Sequence, residues 1–162
     1  MKAIFQTLII VIGFFLPASS CLFASEILQG EVIKVIDGDS IVVRTAGGRK
    51  EIRLWGIDCP EYDQPHAGTA KKRTTNLLAN DITIEVKGRD SYNRILAIAY
   101  SDSVCVNREL VRQGAAWVYD YYCRESVCRE WNRLERQARA KRKGLWRDKE
   151  PTPPWEWRRT RG

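Results

Sequence analysis

Between Gln29 and Gly56 short runs of β-forming residues alternate with glycine turns, a pattern that fits paired strands and little else. Val32, Val35 and Ile36 make the first run, Ile41, Val42 and Val43 the second, Ile52 and Leu54 the third. Such side chains suit a pleated, half-buried surface. Asp37-Gly38 and Gly47-Gly48 separate the runs and are hairpin signals, because glycine reaches positive φ without steric cost. Ala67 to Asn80 then reads as a helix. Ala70, Thr74, Leu77 and Leu78 share a face, with Lys71, Lys72 and Arg73 largely off it. Ile82 to Val86 and Ile95 to Tyr100 resemble two further strands. Five strands with a helix between the third and fourth is the recipe of a small, partly open α+β barrel, the OB architecture.

A second helix is expected over Asn107 to Gln113, ending at Gly114. A third is expected from about Val127 to Lys143, with Trp131, Leu134 and Ala138 inward and Gly144 as the stop. Its outward face is crowded with arginine, as a solvated helix face often is.

The chain has 162 residues and a formal charge of +7. That length fits one compact domain plus end segments, with a core that needs no metal or disulfide support. The charge favours polyanionic partners such as nucleic acid. Residues 1–25 read as an export signal. Lys2 supplies the positive start, Leu8 to Leu16 is almost wholly apolar, and small residues at Ala18-Ser19-Ser20-Cys21 and Ala24-Ser25 place cleavage between Ser20 and Glu26. The apolar run falls short of the ~20 residues that span a bilayer, so no stable membrane span is expected. Cys21 offers a bacterial lipidation site as an alternative, although Ala18 stands where a large aliphatic residue is usual. Residues 26–147 form the expected domain and 148–162 a tail rich in Pro, Trp and Arg. Stacking and charge would suit that tail to nucleic acid. The more ordinary reading is a loose end, or tryptophans packed on the domain.

Without the leader four cysteines remain: Cys59, Cys105, Cys123 and Cys128. An even count in an exported protein suggests disulfides. Cys123 and Cys128, close together ahead of a helical pattern, are the favoured bridge. Cys59 and Cys105 are the remainder, either paired or buried as thiols. The lack of a C-x-x-C pair, with His66 the only histidine and read as a surface loop residue, argues against zinc.

The chemistry rests on two acidic clusters, Asp37-Gly38-Asp39 and Asp58-Cys59-Pro60-Glu61, and two isolated arginines, Arg53 and Arg94. Phosphodiester hydrolysis faces a weak nucleophile, an anionic electrophile and an unstable leaving alkoxide. A divalent cation answers more than one of these. Calcium takes carboxylate and carbonyl oxygens. Asp39 and Asp58 can supply two charges and a backbone carbonyl near Cys59 a third ligand. Glu61 is the candidate to position or deprotonate water. Arg53 and Arg94 can grip phosphate oxygens and neutralise transition-state charge. Taken singly, each signal has an ordinary reading. Asp37-Gly38-Asp39 is a hairpin turn, Asp58 to Glu61 a loop with a Pro turn, Arg53 a strand residue paired with an acid, and Arg94 part of a solvated turn. The later acids of a calcium-binding helix-loop-helix are missing.

In combination and order, Asp37-Gly38-Asp39-Ser40, Arg53-Leu54-Trp55-Gly56-Ile57-Asp58-Cys59-Pro60-Glu61, Asp90-Ser91-Tyr92-Asn93-Arg94 and Val106-Asn107-Arg108-Glu109-Leu110-Val111-Arg112-Gln113-Gly114 resemble the staphylococcal nuclease-like (thermonuclease) family. The resemblance covers about Gly30 to Trp146. It implies a five-stranded OB barrel with three helices and calcium-dependent endonuclease activity on DNA and RNA. By motif position it implies Asp39 and Asp58 as calcium carboxylates. Cys59 sits where the family commonly has Thr, whose backbone carbonyl faces the metal. Glu61 matches the acid assigned as general base, Arg53 and Arg94 the phosphate-binding arginines, and Tyr92 an aromatic near the bound nucleotide. The family reaction is in-line attack with loss of the 5′ oxygen, leaving 3′-phosphate ends. This chain departs at Cys59, at Asn93 where the family has Gly, and in a shorter stretch from Glu61 to the first helix. Asn at 93 is tolerable because Asn reaches positive φ.

The leading expectation is thus a monomeric, exported endonuclease of the periplasm or medium. One rival is a non-catalytic OB module for single strands, which would tolerate loss of Glu61 or an arginine. Another is a lipid-anchored envelope protein that uses the barrel for protein contacts and is indifferent to calcium.

Overall fold

A computed structural model describes residues 26–161; the expected export signal, its expected cleavage region and Cys21 lie outside the described residues. In chain order the elements are β1 (Ile27–Val35), β2 (Ser40–Thr45), β3 (Gly48–Leu54), β4 (Ile57–Asp58), α1 (Ala67–Leu77), β5 (Asp81–Arg89), β6 (Ile95–Ser101), β7 (Val104–Cys105), α2 (Val106–Arg112), β8 (Trp117–Val118), α3 (Ser126–Ala140), a 3-10 turn (Gly144–Arg147) and α4 (Pro154–Arg159). The five long strands form a closed barrel in the order β3-β2-β1-β5-β6, and a parallel β3–β6 pair completes the ring, with Ile52 opposite Ile95 and Leu54 opposite Ala97. Bulges at Val32/Lys34 on β1 and Val86/Gly88 on β5 interrupt the register. Such bulges bend and twist strands, which lets a narrow sheet close on itself. Alternate residues Ile41, Val43, Ile52, Leu54, Ile82, Ile84, Ala97 and Ala99 fill the interior, as the two-residue period of a strand requires.

Helices α1, α2 and α3 cover the barrel, as expected, but their ends differ from the sequence reading. Helix α1 stops at Leu77 and not Asn80 because Leu78 turns extended. Ala79 N–H then donates to Ser101 Oγ at 2.7 Å, and the Asn80 carbonyl accepts from Val32 N–H at 2.7 Å, so strand partners win the chain from the helix. Helix α3 stops at Ala140. Arg142 takes the left-handed conformation (φ 47°), and Arg142 and Lys143 N–H close back on the Arg139 and Ala138 carbonyls. Arg142 is therefore the terminating residue that Gly144 was expected to be. Gly144 is needed for another reason: a Cβ there would stand 2.0 Å from the Gly114 carbonyl oxygen, which locks the end of α3 onto the end of α2.

The short pair β4–β8 sets Asp58 opposite Trp117. Behind it Asn107 is fully buried. Its amide oxygen accepts from Ala99 N–H at 3.0 Å, and its nitrogen donates to the Trp55 carbonyl at 2.9 Å. This ties β6 and α2 to the segment that carries Asp58. No helix among the described residues is long and apolar enough to cross a membrane.

Candidate active site

The floor of the site is built by the turn between β1 and β2. Gly38 is fully enclosed, and a Cβ at that position would lie 2.6 Å from Cys59 Cβ and 2.9 Å from Ala70 Cβ. The acidic turn is thereby pressed onto the 58–59 segment and α1. Thr74 Oγ1 donates to the Gly38 carbonyl at 2.5 Å, and Cys59 N–H donates to Asp39 Oδ2 at 2.5 Å. Asp39 and Asp58 are almost wholly buried. Arg53, on β3 opposite Ser40, donates to Asp39 Oδ1 and to Asp58 Oδ1 with its two terminal nitrogens. Burial raises the Asp39 carboxyl well above the usual carboxylate range; Arg53 opposes the shift, and the neighbouring acids Asp37 and Asp58 add to it. Burial and the Asp39 carboxylate also push the Cys59 thiol well up, so it stays protonated and its sulfur is a poor metal ligand.

Above the floor a cleft of about 400 Å³ is lined by Arg53, Glu61, Tyr92 and Arg94, with Tyr119 and Tyr122 at its edge. Arg94 is presented by a turn that Asp90 organises. Asp90 Oδ1 accepts from the Tyr92 and Arg94 amides, both at 2.9 Å, and Oδ2 accepts from Arg94 Nε at 2.7 Å. Partial burial works against the Asp90 charge, but the Arg94 side chain and these amides hold it below the usual range. Asn93 takes φ 64° in this turn, a conformation that Asn tolerates. The Arg94 guanidinium sits 5.6 Å from the ring centre of Tyr92, which is itself exposed.

Arg53, Glu61, Tyr92 and Arg94 therefore face one cleft, while Asp39, Asp58 and Cys59 lie beneath it. Two buried carboxylates already converge on a single positive group. Hard anionic oxygens in this number suit a hard divalent cation, with a backbone carbonyl and water completing the shell. Among the described residues no group of three or more His, Cys, Asp and Glu side chains is arranged to hold a metal by itself.

Cys123 and Cys128 are bridged, with Cα atoms 5.5 Å apart. Cys59 and Cys105 are free thiols: Cys59 is buried against Gly38, and Cys105 is half-buried at the start of α2. His66 is half-buried, with Nε2 2.9 Å from Asp148 Oδ2.

Sequence reasoning left Arg158 within the Trp- and Arg-rich tail without a place in the cleft, and did not place Tyr119 or Tyr122 at its edge. Arg158 on α4 reaches the site and pairs with both Asp58 and Glu61. The local signals for Arg158 were the basic, tryptophan-bearing composition of the tail and Trp155 three positions earlier, which shares a helix face with it.

Residues 51–148 match the family model described as staphylococcal nuclease homologue. An uncharacterized endonuclease of Escherichia coli is 39% identical over 133 residues, covering 81% of this chain and 85% of the relative. An uncharacterized endonuclease of Haemophilus influenzae is 35% identical over 130 residues, 79% of this chain and 71% of the relative. A micrococcal nuclease of Shigella flexneri is 32% identical over 141 residues, 81% and 80% of the two chains.

Proposed function

This chain belongs to the family of staphylococcal nuclease homologues, and on that footing we propose that it is an exported, calcium-dependent endonuclease that hydrolyses phosphodiester bonds in DNA and RNA and leaves 3′-phosphate ends. The observation that carries this reading is the meeting of Arg53, Glu61 and Arg94 on one cleft above two buried carboxylates.

Asp39, Asp58 and the backbone carbonyl near Cys59 are the residues that would hold calcium, which when bound supplies Lewis acidity at the phosphoryl group. The remaining work falls to the chain. Glu61, half-buried at the cleft wall, accepts the proton of the attacking water. Arg53 and Arg94 donate to the non-bridging phosphate oxygens and offset the charge that grows on them. Tyr92, exposed beside Arg94, offers a face to the adjoining base. In the resting protein these guanidiniums are engaged by carboxylates. Substrate binding is then an exchange of one anion for another, which limits the net cost of desolvating the arginines.

The test is cleavage of plasmid DNA and of RNA by the purified protein with added calcium and with a chelator, followed by end analysis of the products. Cleavage that stops in chelator, is lost in Glu61→Gln and leaves phosphatase-sensitive 3′ ends is the expected result. Full activity in chelator would remove the metal from the scheme. Binding without cleavage would return the chain to the single-strand-binding class.

A further inference from the structure

Taking the nuclease reading as given, we propose that Arg158 is a third phosphate-gripping guanidinium of this cleft, delivered by the C-terminal helix α4. The family match ends at residue 148, before α4 begins at Pro154. Arg158 Nη2 lies 2.9 Å from Asp58 Oδ2 and Nη1 lies 3.4 Å from Asp58 Oδ1; Nη1 also donates to Glu61 Oε1. Arg158 lines the same cleft as Arg53 and Arg94. Its side chain is 44% exposed, against 18% for Arg53 and 27% for Arg94, so of the three it is the most open to an arriving polymer.

Its position is built by side chains on both sides. Trp155 stacks on Tyr119 with ring centres 5.3 Å apart and planes 22° from parallel. Pro154 is buried, and Trp155 also packs on the Trp117–Trp146 cluster. On the other side, Trp157 Nε1 donates to Asp63 Oδ1 at 3.0 Å, and Gln64 Nε2 donates to the Thr152 carbonyl at 2.6 Å. The loop that carries Glu61 is thus sewn to the tail around Arg158.

The charge around the cleft calls for such a group. Asp37, Glu61 and Asp90 line it, while Asp39 and Asp58 lie beneath and are assigned to calcium; Arg53 and Arg94 alone leave one lining carboxylate without a counter-charge. An anionic phosphodiester is repelled by that surplus. A guanidinium fork takes phosphate with the same two-pronged geometry it uses for carboxylate, so Arg158 can release Glu61 to its proton-accepting role as it turns to the substrate. The opposite role would be a plug that keeps Glu61 occupied, and the two roles predict opposite signs.

Steady-state cleavage of a single-stranded oligonucleotide is measured for the full protein, Arg158→Ala, Arg158→Gln, Arg158→Lys and, as a control with equal loss of charge on the same helix, Arg159→Ala. Arg158→Ala and Arg158→Gln are expected to lose about 10- to 100-fold in kcat/KM, the scale of one charge-assisted hydrogen bond. Arg158→Lys recovers part of this, and Arg159→Ala stays at the wild-type level. In a Glu61→Gln background, which keeps the complex uncleaved, fluorescence anisotropy of the same oligonucleotide should show Arg158→Ala reducing the slope of log affinity against log salt by about 0.7. Unchanged cleavage and slope overturn the assignment. Faster cleavage by Arg158→Ala also overturns it and marks the residue as a plug. Equal losses in Arg158→Ala and Arg159→Ala overturn it as plain loss of charge. A wild-type protein that binds without cleaving sinks the nuclease reading, while the anisotropy arm still decides whether Arg158 grips phosphate.

Discussion

Gly38→Ala tests how the floor of the cleft is assembled. The added methyl would stand 2.6 Å from Cys59 Cβ, 2.8 Å from its Sγ and 2.9 Å from Ala70 Cβ. Carbon atoms in contact prefer about 3.5 to 4 Å, so these neighbours must retreat by roughly 1 Å. None is the free end of a long side chain. Cys59 is tied by its own N–H to Asp39, and Ala70 sits on α1. Overpacking of a closed core costs about 1 to 3 kcal/mol, and three simultaneous clashes argue for the upper half of that range. Alanine restricts the unfolded chain and returns about 0.4 to 1 kcal/mol. The net expectation is a loss of about 1 to 2.6 kcal/mol, or roughly 2 to 10 °C in Tm for a domain of this size. Urea unfolding should show a lower midpoint with an unchanged slope. Because the displaced groups include the segment that hydrogen-bonds Asp39, cleavage should fall further than stability, by up to about 100-fold for a shift near 1 Å. Ala70→Gly in the same chain removes one clash and should restore part of both losses. A Gly38→Ala protein within about 0.5 kcal/mol of the wild type, a shift typical of ordinary surface changes, and fully active would refute the close-approach account of the turn.

Asp90→Asn should free Arg94 and reduce kcat/KM by about tenfold, the value of one charged hydrogen bond, with initial rates as the readout. The same acid sets a pH limb. Asp90 is held low despite partial burial by its bonds from Arg94, and Glu109 is held low first by its hydrogen bonds from Arg112. With folded-state values below the unfolded ones, the stability these acids contribute is complete above the ordinary range near pH ~4 and drains as pH falls through their folded values. Thermal melts on a descending pH series should show an acid limb that is shallower in Asp90→Asn; an identical limb would remove Asp90 from the account. Reduction of the Cys123–Cys128 bridge, which closes a short loop of sequence separation 5, should cost about 2 kcal/mol by the chain-entropy relation, read from melts with and without reductant. Asp58 is fully buried and shared between Arg53 and Arg158, and a buried carboxylate left without its partner costs about 3 to 5 kcal/mol. Phosphate and a hard cation should therefore bind with positive coupling, and titration calorimetry of calcium with and without a nucleoside bisphosphate would contradict this if the affinities were equal.

The parts of this protein that were legible in its sequence are the ones encoded by neighbours along the chain. Gly47-Gly48 announces a hairpin through local geometry, with Gly48 at φ 89°, whereas Asp37-Gly38 marks its turn but Gly38 is required there by the distant neighbours Cys59 and Ala70 and not by a positive φ. Asp90 to Arg94 is a self-contained turn, in which an aspartate bonds amides two and four residues on. The Cys123–Cys128 bridge is equally local. Where the reading fell short, a distant partner decided the outcome. Helix α1 gives up its last residues to bonds with β1 and β6, and Cys59 remains a free thiol buried against Gly38. The charge network is the extreme case. Arg158 and Asp58 are 100 positions apart, and with 27 basic and 20 acidic side chains to choose from, no local pattern selects that pair. What brings them together lies on both sides of α4: Trp155 stacks on the face of Tyr119, Trp157 and Gln64 bond across to the loop and tail, and the guanidinium between them is carried to the buried acid. In this tail aromatic packing on one side and polar bonds to the Asp63–Gln64 loop on the other together place the ion that meets the buried acid.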